Sequence, residues 1–511
     1  MPGHSSTSPE YFDVVIIGGG ISGIGAAVYI TQEFPKKKVA LLEGRDAIGG
    51  TWDLFRYPGI RSDSDLHTFA YEFKSWRHET AIADAPLIKD YLAETVDEYG
   101  LDAIVRYRHH VTSADWSGDD ARWTLAVDIT DADGTVRHDF ITAGWVFGAT
   151  GYYRYDEGYT PQFEGRDDFA GDIIHPQHWP EDYDHTGKKV VVIGSGATAI
   201  TLIPSMLKGP GAASHVTMLQ RTPSYIMTMP RIDGLSLTLT KLFGERRGYL
   251  ATRWKNVWTD WAVVKTLTTF PKASRRMIRY LNTKELPAGF DVDKHFNPPY
   301  DPWDQRLCLA PDGDFFTSIR TGDASVVTDR IRRFVPDGIE LESGEKLEAD
   351  LIVTATGLNM RLLGGIDLTV DGRPVDLPSS VVYRGMMLSG VPNWVMAVGY
   401  TKSSWTLKIG LLGKSFIELL RHMDTHGFDT ATAVAPDGTG TRPVIDLDAG
   451  YMLRAKHTLP RQGDEMPWQM KSVFLEDRKM FREPLISDAL TFSSRLEREV
   501  GRPVAVEGAR S

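Results

Sequence analysis

Two stretches of this sequence have the residue types and spacing to hold the pyrophosphate of a dinucleotide. In DVVIIGGGISGIGAAVYITQ, Gly18, Gly20 and Gly23 form G-x-G-x-x-G between an apolar run (14–17) and an alanine-rich helical pattern. Gly18 permits a tight turn, Gly20 lets the backbone approach a pyrophosphate, and Gly23 lets helix and strand pack closely. The phosphates would rest on the helix N-terminus, where unpaired N–H groups and the dipole favour anions. The next strand pattern, KVALLEG, ends at Glu43, whose carboxylate is placed to accept hydrogen bonds from a ribose diol. KKVVVIGSGATAITLIP repeats the turn with Gly194, Gly196 and Ala199, but its second strand, HVTMLQRTPSY, ends in Gln220-Arg221-Thr222 with no acid. A carboxylate there would repel a 2′-phosphate, whereas a guanidinium binds one bidentately. The first turn is therefore expected to take FAD or NAD and the second NADP.

Each turn needs a strand–helix–strand unit to position it. WVFGATGYY and LIVTATGLN, with Ala149-Thr150-Gly151 and Ala355-Thr356-Gly357, read as the returning strands that close the two units. The expected fold is α/β, with two Rossmann-like dinucleotide-binding domains. The FAD domain is expected over residues 1–154 and 381–511, with the NADP domain, 155–380, inserted in it. From about 230 to 295 the NADP domain carries a helical insert, with breaks at Gly244 and Pro271. This insert mixes tryptophans with basic residues. It reads either as a surface touching anionic membrane or as a helical cover over the active site with solvated charges.

The 511 residues leave room for two to four domains. A net charge of −11 argues against general nucleic-acid binding. The single cysteine, Cys308, excludes the flavoenzyme reductases that work through a dithiol pair. The N-terminus has neither the basic nor the apolar region of a signal peptide, and no apolar run spans a bilayer, so a cytoplasmic protein is expected.

Longer motifs narrow the reading. GGTWDLFRYPGIRSD contains Gly50, Trp52, Tyr57-Pro58-Gly59 and Asp63, and FAGDIIHPQHWP contains Phe169, Gly171, His175, Trp179 and Pro180. These resemble the two signatures of Baeyer–Villiger monooxygenases, [A/G]-G-x-W-x4-[F/Y]-P-[G/M]-x3-D and F-x-G-x3-H-x3-W-[P/D]. With HPQHWPED, VVIGSGATA, PWDQRLCL and GYT followed by SWTLK, the chain is most similar to the ethionamide-activating (EthA-like) subgroup. The resemblance implies an enzyme that uses FAD, NADPH and O2. It would insert oxygen into ketones through a C4a-peroxyflavin to give esters or lactones, and would also oxygenate sulfides. The alternative is a flavin monooxygenase acting mainly on sulfur or nitrogen.

By the same resemblance, Arg306 is the active-site arginine, and a fixed cation suits a peroxide or oxyanion. Asp63 lies near the flavin and orients Arg306, or caps a helix. Gly50, Thr51, Trp52, Val111 and Thr198 join the cofactor-binding residues. Gln305 stands where many relatives have a lysine that helps hold NADP, which shifts weight onto Arg221 and Thr222. His175 and His178 have metal-like spacing, but Pro176 disfavours a regular helix through them and no other ligand cluster accompanies them. The stretch is expected to be a linker whose His175 and Trp179 couple the two domains. Cys308 is expected to be buried filler.

Overall fold

The computed structural model describes residues 8–445 and 447–495. The apolar run at the N-terminus forms the strand Glu10–Ile17, which pairs in parallel with Val39–Leu42 on one side and Val136–Gly148 on the other. Successive side chains of a strand point to opposite faces. Val14 and Ile16 accordingly enter one core, with the helix Ile21–Glu33, while Val15 and Ile17 enter another. This nine-stranded sheet continues through Arg122–Thr130, His109–Ser117 and Asp367–Val370, and Trp394–Met396 pairs with Val136–Gly148.

The second sheet has five strands in the order Ala324–Thr328, His215–Gln220, Lys189–Ile193, Leu351–Thr354 and Asp172–Ile174, all parallel. Again the alternation divides it: Val190 and Val192 face one core, Val191 and Ile193 the other.

The chain crosses between the sheets twice. Tyr153–Gly158 leads out and Leu358–Met360 leads back, and these two segments pair antiparallel as a hinge ribbon. Asp367–Val370 already belongs to the first sheet, so that sheet resumes ahead of residue 381, the start expected for the returning part.

The insert consists of the helices Gly234–Phe243, Glu245–Thr269 and Pro271–Glu285. Gly244 separates the first two at φ +77°, a left-handed conformation that glycine adopts without steric cost. Pro271 opens the third helix, where its missing N–H is no loss. The long helix is fastened to the first sheet's side by buried polar contacts. Arg253 Nη1 donates to the carbonyls of His67, Thr68 and Ala70 at 2.9, 3.0 and 2.8 Å. Asn256 Nδ2 donates to Asp65 Oδ1 at 2.8 Å.

The cap of the short helix Leu66–Phe69 is Asp65, which accepts from the His67 and Thr68 amides, and not Asp63. That correction leaves the Asp63 carboxylate free for the cavity described next. Among the described residues no helix is long and apolar enough to cross a membrane.

Candidate active site

A cavity of about 480 Å³ lies along the carboxyl end of the first sheet, within the range of small-molecule and cofactor sites. Gly18, Gly20, Glu43, Gly50, Thr51, Trp52, Asp63, Val111, Thr198 and Arg306 all line it. The first glycine turn and the arginine therefore open onto one space, although they are far apart in sequence.

The turn is built for close approach. A Cβ on Gly23 would lie 1.9 Å from the Gly18 carbonyl oxygen, so only glycine lets the helix sit against the strand. Gly18 itself has φ +108° and packs on the backbone of Ala149. Gly20 faces Gly50 across the mouth, and the helix that begins at Ile21 has no side-chain cap on its N-terminal amides. Glu43 accepts from the Gly19 amide at 2.7 Å and the Arg45 amide at 2.9 Å, which fixes its carboxylate at the end of the second strand. Burial raises its pKa, and those two amides oppose the shift. An uncapped helix end, a buried carboxylate beyond it and a backbone cradle without side chains fit the pyrophosphate and ribose of FAD.

At the other end of the cavity Arg306 forms an ion pair with Asp63. The Asp63 carboxylate holds the guanidinium protonated even more firmly than usual, against the opposing effect of burial. Tyr152 and Tyr153 also line the cavity, with their hydroxyls 3.2 Å apart, and both border the arginine. Trp52 lines the cavity while its ring meets Phe69 edge to face at 5.6 Å, so it serves both wall and core. Trp405 adds a second indole, pinned by its Nε1 to Ser22 Oγ at 2.7 Å.

Sequence reasoning missed several lining residues. Tyr155 faces Gly50 and hydrogen-bonds Thr51. Arg45 is held by Asp53, which Lys89 also reaches at 2.5 Å. The run of tyrosines directly after Ala149-Thr150-Gly151 was the available signal, since that returning strand delivers them to the cavity.

The other expected residues lie elsewhere. Gly194, Gly196, Arg221, Thr222 and Gln305 do not line this cavity. Gly194 has φ +131° and abuts Ala355, and a Cβ on Gly196 would meet open space. Ser195 Oγ donates to the Thr222 carbonyl at 3.1 Å, which brings Arg221-Thr222 beside the second turn. Arg221 is exposed and has no ion-pair partner among the described residues. Cys308 is buried in a strand, and burial pushes its thiol up to about 12, the opposite of a nucleophile's environment.

The second signature brackets the second sheet. Phe169 packs into the core on one face and Trp179 into the core on the other, and Pro180 is exposed. Gly171 passes so close to the Asp350 carbonyl that a Cβ would lie 2.4 Å from it. His175 Nε2 bonds the Gly357 carbonyl at 3.1 Å, and its Nδ1 accepts from the Gln177 amide at 3.2 Å. That pattern specifies a neutral imidazole protonated on Nε2, and burial lowers its pKa accordingly. Its ring covers Gly158, so the histidine touches one strand of the hinge ribbon and the residue that leads into the other.

The first signature also reaches across. Gly59 sits against Ser205, Tyr57 hydrogen-bonds Thr198, and Arg61 pairs with Asp314 at 2.5 and 3.3 Å with both side chains nearly buried.

Known proteins resemble this chain in sequence and in fold. Residues 16–79 match the NAD(P)-binding Rossmann-like domain, and residues 71–277 match the flavin-binding monooxygenase-like family. The chain is 48% identical over 488 residues to the FAD-containing monooxygenase EthA of Mycobacterium tuberculosis (strain ATCC 25618 / H37Rv), covering 95% of this chain and 98% of that protein. The chain belongs to the FAD-containing monooxygenases. Within them it is also 44% identical to a probable FAD-binding monooxygenase AlmA from an Acinetobacter species, covering 96% of this chain and 98% of the relative. This monooxygenase shares its fold with a steroid monooxygenase bound to NADP (TM-score 0.72, 22% identity, 95% and 100% of the two chains). It likewise shares it with an ε-caprolactone-bound cyclohexanone monooxygenase (TM-score 0.72, 20% identity, 95% and 100%).

Proposed function

We propose that this monooxygenase is of the Baeyer–Villiger type, using NADPH and O2 to convert ketones to esters or lactones and also oxygenating sulfides. The observation that carries the reading is the Arg306–Asp63 pair opening onto the same cavity as the FAD turn. The fold shared with an NADP-bound and a lactone-bound monooxygenase supports it.

FAD, once reduced by NADPH, supplies the oxygen-activating chemistry. The protein's own groups bind, orient and stabilise. Glu43 would hold the FAD ribose, and the uncapped helix beginning at Ile21 would receive the pyrophosphate. Gly194 and Gly196 form the NADP turn, with Arg221 and Thr222 reading the 2′-phosphate and Gln305 adding a neutral contact. Arg306 presents a permanent cation where negative charge builds up on oxygen during attack on a carbonyl, and Asp63 fixes its direction. A preset donor of this kind needs no reorganisation as the charge forms. Phe169, Gly171, His175, Trp179 and Pro180 act mechanically, fastening the inserted NADP domain to the hinge ribbon. Residues up to the ribbon and from Asp367 onward make the FAD domain, and those between make the NADP domain.

We also propose that the insert makes peripheral contact with an anionic lipid surface. Leu242, Phe243, Trp258, Phe270, Tyr280 and Leu281 are exposed. Lys241, Arg247, Lys265, Lys272, Arg276 and Lys284 are exposed without an acidic partner among the described residues. Exposed aromatic and apolar side chains among unpaired cations suit such a surface.

The test of the main reading is a product panel. Linear, cyclic and aryl ketones and thioethers are supplied with NADPH under O2, and esters or lactones are expected alongside sulfoxides. Sulfoxide with no ester from any ketone would replace this reading with a sulfur oxygenase.

A further inference from the structure

We propose that residues 448–454 form a strap that positions Arg306 and ties it to the hinge ribbon, with Tyr451 holding the arginine and Arg454 anchoring the far end. This rests on the reading of Arg306 as the reactive cation.

Three residues of the strap make contacts that link the Arg306 loop to the ribbon. The Asp448 amide donates to the Asp304 carbonyl at 3.0 Å, two residues ahead of Arg306. The Tyr451 phenol lies close enough to the Arg306 guanidinium for the two to interact electrostatically, and its ring meets Tyr153 edge to face at 6.4 Å. The Arg454 guanidinium stacks over Tyr159 at 3.5 Å from the ring centroid, and its Nη2 donates to the Leu358 carbonyl at 3.2 Å. Tyr451 and Arg454 belong to the short helix Gly450–Ala455, where a three-residue spacing puts them on one face.

The anchor point is the corner that His175 already holds. His175 Nε2 and the Tyr159 amide both donate to the Gly357 carbonyl, at 3.1 and 3.0 Å. A change at this corner shifts the platform under Arg454, and one helical turn carries that shift to Tyr451. The loop that receives it is held in an unusual turn, with Trp303 at φ +74° and the Asp304 amide bonded to the Asp301 carbonyl at 3.1 Å. Asp63 grips Arg306 from the first sheet's side only. The strap supplies the opposing contact, so the arginine's place depends on the hinge as well as on Asp63.

Chemically, the phenol oxygen puts a negative dipole beside the Arg306 guanidinium, which restricts the long side chain's free orientations. A loosened guanidinium would fail to stabilise negative charge on oxygen, and reducing equivalents would be diverted. The diverted reaction balances as NADPH, a proton and O2 giving NADP+ and hydrogen peroxide.

The test uses the full-length, FAD-loaded enzyme and the variants Tyr451→Phe, Arg454→Met and Arg454→Lys. Hydrogen–deuterium exchange of residues 301–308, peroxide formed per NADPH, FAD content and Tm are measured. Tyr451→Phe is expected to keep Tm and FAD content while raising exchange in 301–308 and peroxide per NADPH at least threefold. Arg454→Met should do the same from a residue that does not touch Arg306, and Arg454→Lys should restore part of the loss by keeping the cation over Tyr159. The double variant Tyr451→Phe/Arg454→Met should be no worse than either single one, since both cut the same connection. Unchanged exchange and coupling in the single variants would overturn the proposal, as would additive effects. Exchange rising across the whole chain with loss of FAD would reduce the strap to a structural contact and overturn it equally.

Discussion

Replacing Arg306 separates what this residue does for the fold from what it does for the reaction. Arg306→Met keeps much of the side chain's length and apolar stem but removes the charge. The Arg306 and Asp63 side chains are 35% and 37% exposed, so the pair is partly screened and its loss should cost about 1 kcal/mol of stability or less. A preset donor to a developing oxyanion is worth more: removing one costs about 10²–10³ in kcat, or roughly 3–4 kcal/mol. The two effects differ enough to be read apart. The variant is expected to purify yellow, with wild-type FAD content and a Tm within about 3 °C of wild type. It should oxidise NADPH while ester formation falls at least ~100-fold. The companion variant Arg306→Met/Asp63→Asn removes the carboxylate left unpaired. It should recover the small stability loss and none of the ester formation. Ester yield by gas chromatography, NADPH consumption and differential scanning fluorimetry check the three expectations. Ester formation within tenfold of wild type in Arg306→Met would refute the role of the cation, and its recovery in the double variant would show that the unpaired Asp63 had caused the loss.

Three further outcomes follow from the geometry. Losing a charge-assisted contact to a 2′-phosphate costs about 1.5–3 kcal/mol, so Arg221→Ala should raise KM for NADPH by roughly 10–100-fold and leave NADH nearly unchanged; steady-state kinetics with both nucleotides decide it. Burial and then the charge of Asp65 push the Asp260 carboxyl up from 3.8 to about 8. The folded state therefore binds more protons than the unfolded chain across that window, and stability from this group falls as pH rises from about 4 to 8. Asp260→Asn should flatten the slope and raise stability at pH 8 by at least about 1 kcal/mol, measured by denaturation at pH 5 and pH 8. The insert should carry the protein to the top of a sucrose gradient with vesicles containing phosphatidylglycerol and not with neutral vesicles. Lys272→Glu/Arg276→Glu/Phe270→Ala should abolish flotation, and equal flotation by that variant would remove the membrane reading.

The dinucleotide turns were legible because their requirements are local. Gly18, Gly20, Gly23 and Glu43 lie within one strand–helix–strand unit, and each residue type answers a backbone or ribose constraint of that unit. The helix breaks at Gly244 and Pro271 were legible for the same reason. Asp65 rather than Asp63 caps its helix, a choice among neighbouring candidates that the local sequence leaves open, and Asp65 also accepts from the Asn256 amide of the distant insert. The Arg61–Asp314 pair spans 253 residues and the Trp405–Ser22 bond 383. No spacing rule announces such partners, because the fold alone brings them together. Tyr451 was missed on the same grounds, whereas Arg45 and Tyr155 lie next to motifs that were read, two residues after Glu43 and four after Gly151. The histidine stretch shows the converse: its spacing suggested ligands, while its surroundings give His175 a carbonyl and an amide as partners.

The two sheets differ in how their strands are drawn from the chain. All five strands of the second lie between residues 172 and 354. The first needs Glu10–Ile17 and also Trp394–Met396, and its cavity wall waits for Trp405. During synthesis, where domains fold as units, the inserted sheet has all its strands while the one begun first still lacks the strand Trp394–Met396 and a cavity wall. The amino-terminal part must therefore persist, incomplete and with apolar surface uncovered, for more than two hundred residues of elongation. FAD therefore has a complete pocket to enter only late in the making of each chain.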